Sequence, residues 1–466
     1  MTSAHATTMP HFLLPRLPPK LYLFIDPQES DQLPQPVINE SLCFYLNDIK
    51  HHITTHEYMW ETFKRFTNTY EYIHTTIPYK KYCISRYRPL SRSFFKMIEL
   101  IHFFELGTDS PQAMKTFHLA EGPGGFIEAM VRYRARSDDK YIGMTLLDRN
   151  NNDYNIPAWK KSQHFLQENK NVHIEAGLDK TGNILSLDNF VYIHEMYGSS
   201  MDLITADGGF DFSTDFDHQE VNMTKLLYGQ IVYALCMQKQ GGHFVLKIFD
   251  VFMQQTMDML ALLASMYERV YITKPNTSRS ANSEKYVVCK GFLHSSSYQF
   301  FPVLFRSFRK VLSDPPPPSM PAPGRPLAHA GPTKYITRMF HNCSISHYFM
   351  NRLEEFNIIL GQAQIENIYV TLSFIVGECM PQSRALLAPY GDNRTASMFE
   401  QVPNIQAMKE TFRGIESIEF PESARGSVAD TPNQRNYYRT KIQNLIKSNI
   451  QKCIQWCIQH NLAYNY

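Results

Sequence analysis

Phe117-His-Leu-Ala-Glu-Gly-Pro-Gly-Gly-Phe126 is the stretch on which the fold turns. An apolar run of strand length ends in Glu121. Gly122, Pro123, Gly124 and Gly125 then reverse the chain, and helical spacing follows from Phe126 to Arg136. Glycines let the backbone adopt conformations closed to other residues and let a ligand come close. An acid at the strand end suits ribose hydroxyls better than phosphate. A P-loop needs GxxxxGK[ST] and the dinucleotide fingerprint needs GxGxxG; the spacing here gives neither. Taken alone, the turn is equally compatible with a simple chain reversal.

Outward from this turn the period alternates. Tyr141–Leu146, Leu203–Ala206, Phe244–Ile248, Val270–Ile272 and Tyr286–Cys289 have strand length and composition, with helical stretches at Gln219–Gln240 and Phe252–Met266. Such alternation predicts a mostly parallel sheet covered on both faces, with ligands beyond the carboxyl ends of its strands. Lys274–Ser283 is too short for a helix, so the last two strands should form an antiparallel hairpin at the edge.

The 466 residues suggest about three folding units at roughly 150 residues each. A 43% hydrophobic content excludes a disordered chain, and 19% charged residues argue against a coiled coil. The net charge of +2 identifies no partner, so local clustering has to. Eight scattered cysteines without a CxxC pair exclude a disulfide scaffold and suggest a reducing compartment. Cys453 and Cys457 share a helical face and read as buried thiols rather than metal ligands. The N-terminus lacks a secretory signal, and there is no run of about 18 apolar residues. A soluble intracellular protein without a membrane partner is the expectation.

The proline-rich stretch 313–334 reads as a linker or loop. It divides an arm with a helical extension (1–84) and a central domain (85–312) from a mainly helical C-terminal region (335–466). In that last region Ile442, Leu445, Ile446, Ile450, Ile454 and Ile458 recur at helical spacing, flanked by basic residues. A docking helix and an RNA-contacting one both remain open.

In this order along the chain, Glu121–Phe126, Gly143-Met-Thr-Leu146, Ala206-Asp-Gly-Gly209, Gly241–Asp250 and Lys274-Pro-Asn-Thr-Ser-Arg-Ser-Ala-Asn-Ser-Glu-Lys-Tyr286 resemble the FtsJ-like RNA 2′-O-methyltransferases. The similarity covers roughly residues 90–292, and the last segment is its most specific. Within the family the chain looks closest to the mRNA cap-modifying branch of eukaryotes and large DNA viruses. The resemblance implies a Rossmann-like class I methyltransferase fold, α/β with a mostly parallel seven-stranded sheet, helices on both faces and an antiparallel edge strand. It implies S-adenosyl-L-methionine as cofactor, with Glu121, Gly122, Pro123, Gly124, Gly125 and Phe126 holding its methionine part. Asp148 would meet the ribose. Asn183 stands where the family often has an Asp at the adenine edge, and Asp207 would face the sulfonium. No metal is required.

The family works with a Lys-Asp-Lys-Glu tetrad, which the resemblance assigns to Lys96, Asp207, Lys247 and Glu284. Transfer to a ribose 2′-hydroxyl is an in-line displacement in which the oxygen must lose its proton. A lysine accepts that proton only if burial or a nearby cation pulls its pKa down. Lys247, between Leu246 and Ile248, is the better candidate for the base and Lys96 for the second positive charge, although the two could exchange parts. Singly, each residue has a bland explanation: a lysine in an apolar strand usually snorkels, and Asp before Gly-Gly is turn chemistry.

Residues 80–96 carry Lys80, Lys81, Arg86, Arg88, Arg92 and Lys96 with interleaved aromatics and no acid. Positive charge for phosphates and rings for bases suit single-stranded RNA, and a solvated face is the alternative. Lys274, Ser278, Arg279 and Asn282 extend the candidate RNA-binding set. Tyr58, Trp60, Tyr70 and Tyr72 are candidates for stacking on a cap. The expected function is mRNA cap 2′-O-methylation of capped mRNA or another single-stranded RNA. The alternatives are methylation of ribosomal or transfer RNA, and a catalytically idle scaffold. A capping enzyme or the transcription machinery is the protein partner this suggests. In the cell that places the chain in cytoplasm or nucleus, or in a virus factory or virion.

Overall fold

Strand β1 is His11–Leu14, β2 Ile25–Ser30, β3 Lys115–Leu119, β4 Lys140–Met144, β5 Val172–Ile174, β6 Met201–Ala206, β7 Gln238–Ile248, β8 Tyr267–Thr273, β9 Lys285–Phe292 and β10 Tyr335–Phe340. Helices α1 to α11 are Glu40–Thr55, Glu57–Thr67, Ser93–Phe104, Gly125–Arg134, Gln163–Glu168, Leu187–Tyr197, Gln219–Met237, Gln254–Met266, Phe301–Leu312, His347–Cys379 and Pro432–Gln459. The computed structural model describes residues 9–107, 112–148, 156, 158–209, 218–312, 334–379 and 432–465. The expected linker at 313–334 lies outside them apart from its last residue.

The chain divides into two units. The first comprises residues 1–40, 89–275 and 284–357, the second 41–88, 276–283 and 358–466. Residues 9–40 therefore count with the sheet unit, a correction to the arm drawn at 1–84. Residues 335–357 do likewise, and 85–88 count with the helical unit. The reason is backbone hydrogen bonding between distant segments: β1 pairs with β8, and β10 pairs with β2. Strands this short leave no local signal of their partners.

In the sheet unit eight strands run in the order β1-β8-β9-β7-β6-β3-β4-β5. From β5 to β7 all neighbours are parallel. β9 is antiparallel to both β7 and β8. The sheet thus has one strand more than the seven expected and two reversed strands, β9 between β7 and β8 and β1 at the edge, where an antiparallel strand was expected. The alternating chain path follows from composition. Phe117, Leu203, Phe244 and Val245 are fully buried, as parallel strands covered on both faces require. Chain order reverses between β3 and β6, which makes the crevice beyond their carboxyl ends the ligand position of such sheets.

In the helical unit α11 buries Ile442, Ile446, Ile450, Cys453, Trp456 and Cys457, while Ile458 is exposed. The apolar stripe is real but passes through the two cysteines rather than to the last isoleucine. Residues His347–Gly377 of α10 are long and apolar enough to cross a membrane, which the sequence had not suggested. Half of its most apolar stretch is buried in protein, and Leu353, Phe356, Ile368 and Leu372 of the helix are buried, as in a core helix.

Candidate active site

Three strands set the site. Ala206 lies level with Leu246, so Asp207, the next residue, lies level with Lys247. Lys247 in turn faces Tyr286 across the β7–β9 ladder. Residues level across a sheet share a face, so Asp207, Lys247 and Tyr286 project side by side from the carboxyl ends of β6 and β7. Glu284 projects beside them because residues two apart on a strand return to the same side. The neighbours Leu246 and Ile248 point to the opposite, buried face.

The side chains form a continuous chain of contacts. Lys247 Nζ donates to the Asp207 carbonyl at 2.7 Å and lies 3.3 Å from its Oδ1. Tyr286 Oη donates to the same Oδ1 at 2.9 Å. Lys96 Nζ, from α3, donates to Tyr286 Oη at 3.4 Å and is held by both Glu284 oxygens at 2.7 and 2.8 Å. Burial pulls the Lys96 pKa down; the Glu284 and Asp207 carboxylates oppose this, and the Arg92 and Lys247 cations add to it. The sheet brings together all four residues the family pattern names. Tyr286, which the sequence did not single out, bridges its two halves.

The glycine turn lies at the end of β3. Gly124 has φ +101°, and a Cβ there would strike the Trp159 ring, so both backbone and packing demand glycine. Glu121 does not point outward as expected. Its Oε1 accepts the Ile127 N–H at 2.9 Å and its Oε2 the Thr205 hydroxyl at 3.2 Å, which ties the start of α4 to β6. Burial raises its pKa, against the pull of His118. Phe126 is also buried, its ring 5.9 Å from that of Tyr286, so turn and polar chain share one packing layer.

Three segments align at these strand ends. The Ala120 N–H donates to Met144 O at 2.7 Å, and the Leu147 N–H to Thr181 O at 2.7 Å. The glycine turn, the acid Asp148 after β4 and the amide Asn183 therefore follow one another along the crevice. Asp148 is paired with Lys160 at 2.8 Å, and Asn183 Oδ1 accepts the Leu185 N–H at 2.9 Å. A glycine cradle, an acid and an amide in this order fit a nucleoside that carries a cationic chain.

Residues 89–292 match the model of the FtsJ-like methyltransferases. Over this segment the chain is similar to the FtsJ-like methyltransferases. The chain is 34% identical over 222 residues to cap-specific mRNA (nucleoside-2′-O-)-methyltransferase 1 of Danio rerio, covering 43% of this chain and 26% of that protein. It is 37% identical over 175 residues to the Homo sapiens protein of that name, covering 36% and 20%. It is also 30% identical over 175 residues to the inactive cap-specific mRNA (nucleoside-2′-O-)-methyltransferase 1B of Caenorhabditis briggsae, covering 36% and 20%. The chain spans about a quarter or less of the length of these curated relatives.

Two further residues steady this site. Gln230 of α7 accepts the Gly208 N–H at 3.0 Å and so fixes the turn after Asp207. Lys274 donates to the Glu284 carbonyl at 2.8 Å. Loss of water and the adjacent Lys285 cation bring its pKa down to about 7. Because this lies below the unfolded value of about 10.4, the unfolded chain binds more protons between the two, and stability rises with pH across that window. Lys274→Met removes this dependence. The wild type should therefore gain on the variant in denaturant midpoint from pH 7.5 to 9.5, and a constant difference between them would refute the shift.

The RNA candidates divide. Arg86 and Arg88 are exposed, and the Arg86 backbone is fixed by its N–H bond to Ala463 O at 2.9 Å. Arg92 is half-buried. Ser278 is buried and donates to Asn282 Oδ1 at 3.5 Å. Arg279 is not simply offered to solvent: its guanidinium is forked by Glu71 at 2.9 and 3.2 Å. Of the four aromatics suggested for a cap, Trp60, Tyr70 and Tyr72 are buried and unsuited to it, whereas Tyr58 is exposed.

Proposed function

We propose that this chain is an S-adenosylmethionine-dependent mRNA cap 2′-O-methyltransferase, acting on the ribose 2′-hydroxyl of a cap-proximal nucleotide. The observation that carries this reading is the unbroken contact chain Lys247–Asp207–Tyr286–Lys96–Glu284 beside the glycine turn. The names of its relatives support capped RNA as the substrate class.

When bound, the cofactor supplies an electrophilic methyl group on a cationic sulfonium. The Gly122–Gly125 turn would hold its methionine part, Asp148 its ribose and Asn183 its adenine edge. Lys247 receives the proton of the 2′-hydroxyl at Nζ, oriented by the carbonyl and carboxylate of Asp207. Lys96 is locked by both oxygens of Glu284 and supplies positive potential rather than a free lone pair. Tyr286 keeps Asp207 and Lys96 in register. Holding acceptor and base in line contributes on the order of 7 kcal/mol for a well-aligned pair.

The test is methyl transfer by the purified chain, with labelled donor, to capped, uncapped and 2′-O-methylated RNA oligonucleotides. Transfer to capped RNA alone supports the proposal. Equal transfer to uncapped RNA favours ribosomal or transfer RNA as substrate. RNA binding without transfer would match the inactive relative and end the enzymatic reading. As the RNA arm of the same assay, Arg86→Glu with Arg88→Glu should weaken binding and lower the salt slope by about 0.7 per lost phosphate contact. An unchanged affinity and slope would remove both residues from the RNA surface.

A further inference from the structure

The loop Asn276–Ser283 leaves β8, returns to β9, and counts with the helical unit. Three separate elements of that unit hold it. Glu71, in the single helical turn Glu71–Ile73, takes the Arg279 guanidinium on both oxygens at 2.9 and 3.2 Å. Asn68 Oδ1, after α2, accepts the Ser280 N–H at 3.2 Å. Gln364 of α10 donates from Nε2 to the Ala281 carbonyl at 3.0 Å and to Ser283 Oγ at 3.3 Å.

The holding groups are themselves fixed. Glu71 is buried and receives Asn68 Nδ2 at 3.2 Å and the Thr75 hydroxyl at 2.9 Å. Asn449 of α11 donates from Nδ2 to the Phe66 carbonyl at 2.8 Å and to that of Asn68 at 3.3 Å. A carboxylate gripping a guanidinium bidentately sets direction as well as distance. Loops without such ties are where a fold opens first.

The residue that follows this loop is Glu284, whose two oxygens hold Lys96. We infer that Glu71 and Gln364 are positioning residues for Glu284, acting through the loop, and that the helical unit is a working part of methyl transfer. This inference rests on the proposed function. It also gives Arg279 a mechanical duty in place of the phosphate contact its charge suggested.

The test uses the full chain carrying Glu71→Gln or Gln364→Leu, two changes on different elements. Amide hydrogen exchange over residues 276–286 should speed up about tenfold or more, as expected for loss of charge-assisted or paired hydrogen bonds. The kcat should fall, up to ~10²-fold if Glu284 shifts by about an ångström. The KM for the methyl donor and the Kd for RNA should stay within about twofold, because neither residue is assigned to those ligands. Faster loop exchange with unchanged kcat overturns the inference, as does unchanged exchange in both variants. A fall in RNA affinity matching the fall in kcat would return the loop to RNA binding and overturn it too. A wild-type chain that transfers no methyl group refutes the proposed function instead, and loop exchange then decides alone whether the clamp exists.

Discussion

A Lys247→Ala protein should transfer methyl groups about 10³-fold more slowly than the wild type while binding the methyl donor nearly as well. The size follows from the contribution of a positioned base, typically about 10² to 10⁴ in rate. The selectivity follows from placement. Lys247 Nζ contacts Asp207, whereas the glycine turn is supported by Glu121, Thr205 and the start of α4. Truncation at Lys247 therefore removes an amine without loosening the cradle. Single-turnover transfer and calorimetric donor binding measure the two effects separately. Unchanged turnover would take the base assignment away from Lys247, and Lys96 would be the next candidate.

Glu284→Gln should cost about 3 kcal/mol of stability as well as most of the activity. Lys96 and Glu284 are both buried, and removing one partner of a buried ion pair strands the other at a cost of about 3 to 5 kcal/mol. The Tyr286 hydroxyl at 3.4 Å is a weak substitute for two carboxylate oxygens. The lower end of the range applies because the glutamine amide oxygen still accepts one hydrogen bond. Pairing this change with Lys96→Met replaces the stranded cation by an apolar chain of similar length, so stability should return while activity does not. Denaturant midpoints with parallel transfer assays check this. An unchanged midpoint in the single variant would mean that the pair carries no buried charge.

Much of this site is readable in the chain because its chemistry is tied to unusual residues in ordered segments. The glycine turn, Asp207 before Gly-Gly, and a lysine inside an apolar strand each contradict their local surroundings, which is how functional positions stand out. Tyr286 was missed since a tyrosine in a strand is ordinary. The usable signal was its spacing of two from Glu284, which places both on one face. The inward turn of Glu121 was hidden for another reason: its partners Ile127 and Thr205 meet it only once the helix packs on the sheet. Arg279 was read by its charge alone, and the carboxylate that takes it lies far away in sequence at Glu71. Pairing across long separations also decided the eighth strand and the reassignment of residues 9–40.

The antiparallel pairing of His11–Leu14 with Val270–Thr273 covers a row of backbone donors and acceptors that would otherwise face solvent. A fragment trimmed to the homologous segment alone would carry that row uncovered, next to the apolar side chains Val270 and Ile272. Such an open border invites the same strand of another copy, so the fragment would be prone to self-association and insolubility. The strand His11–Leu14 thus acts as a built-in safeguard against aggregation.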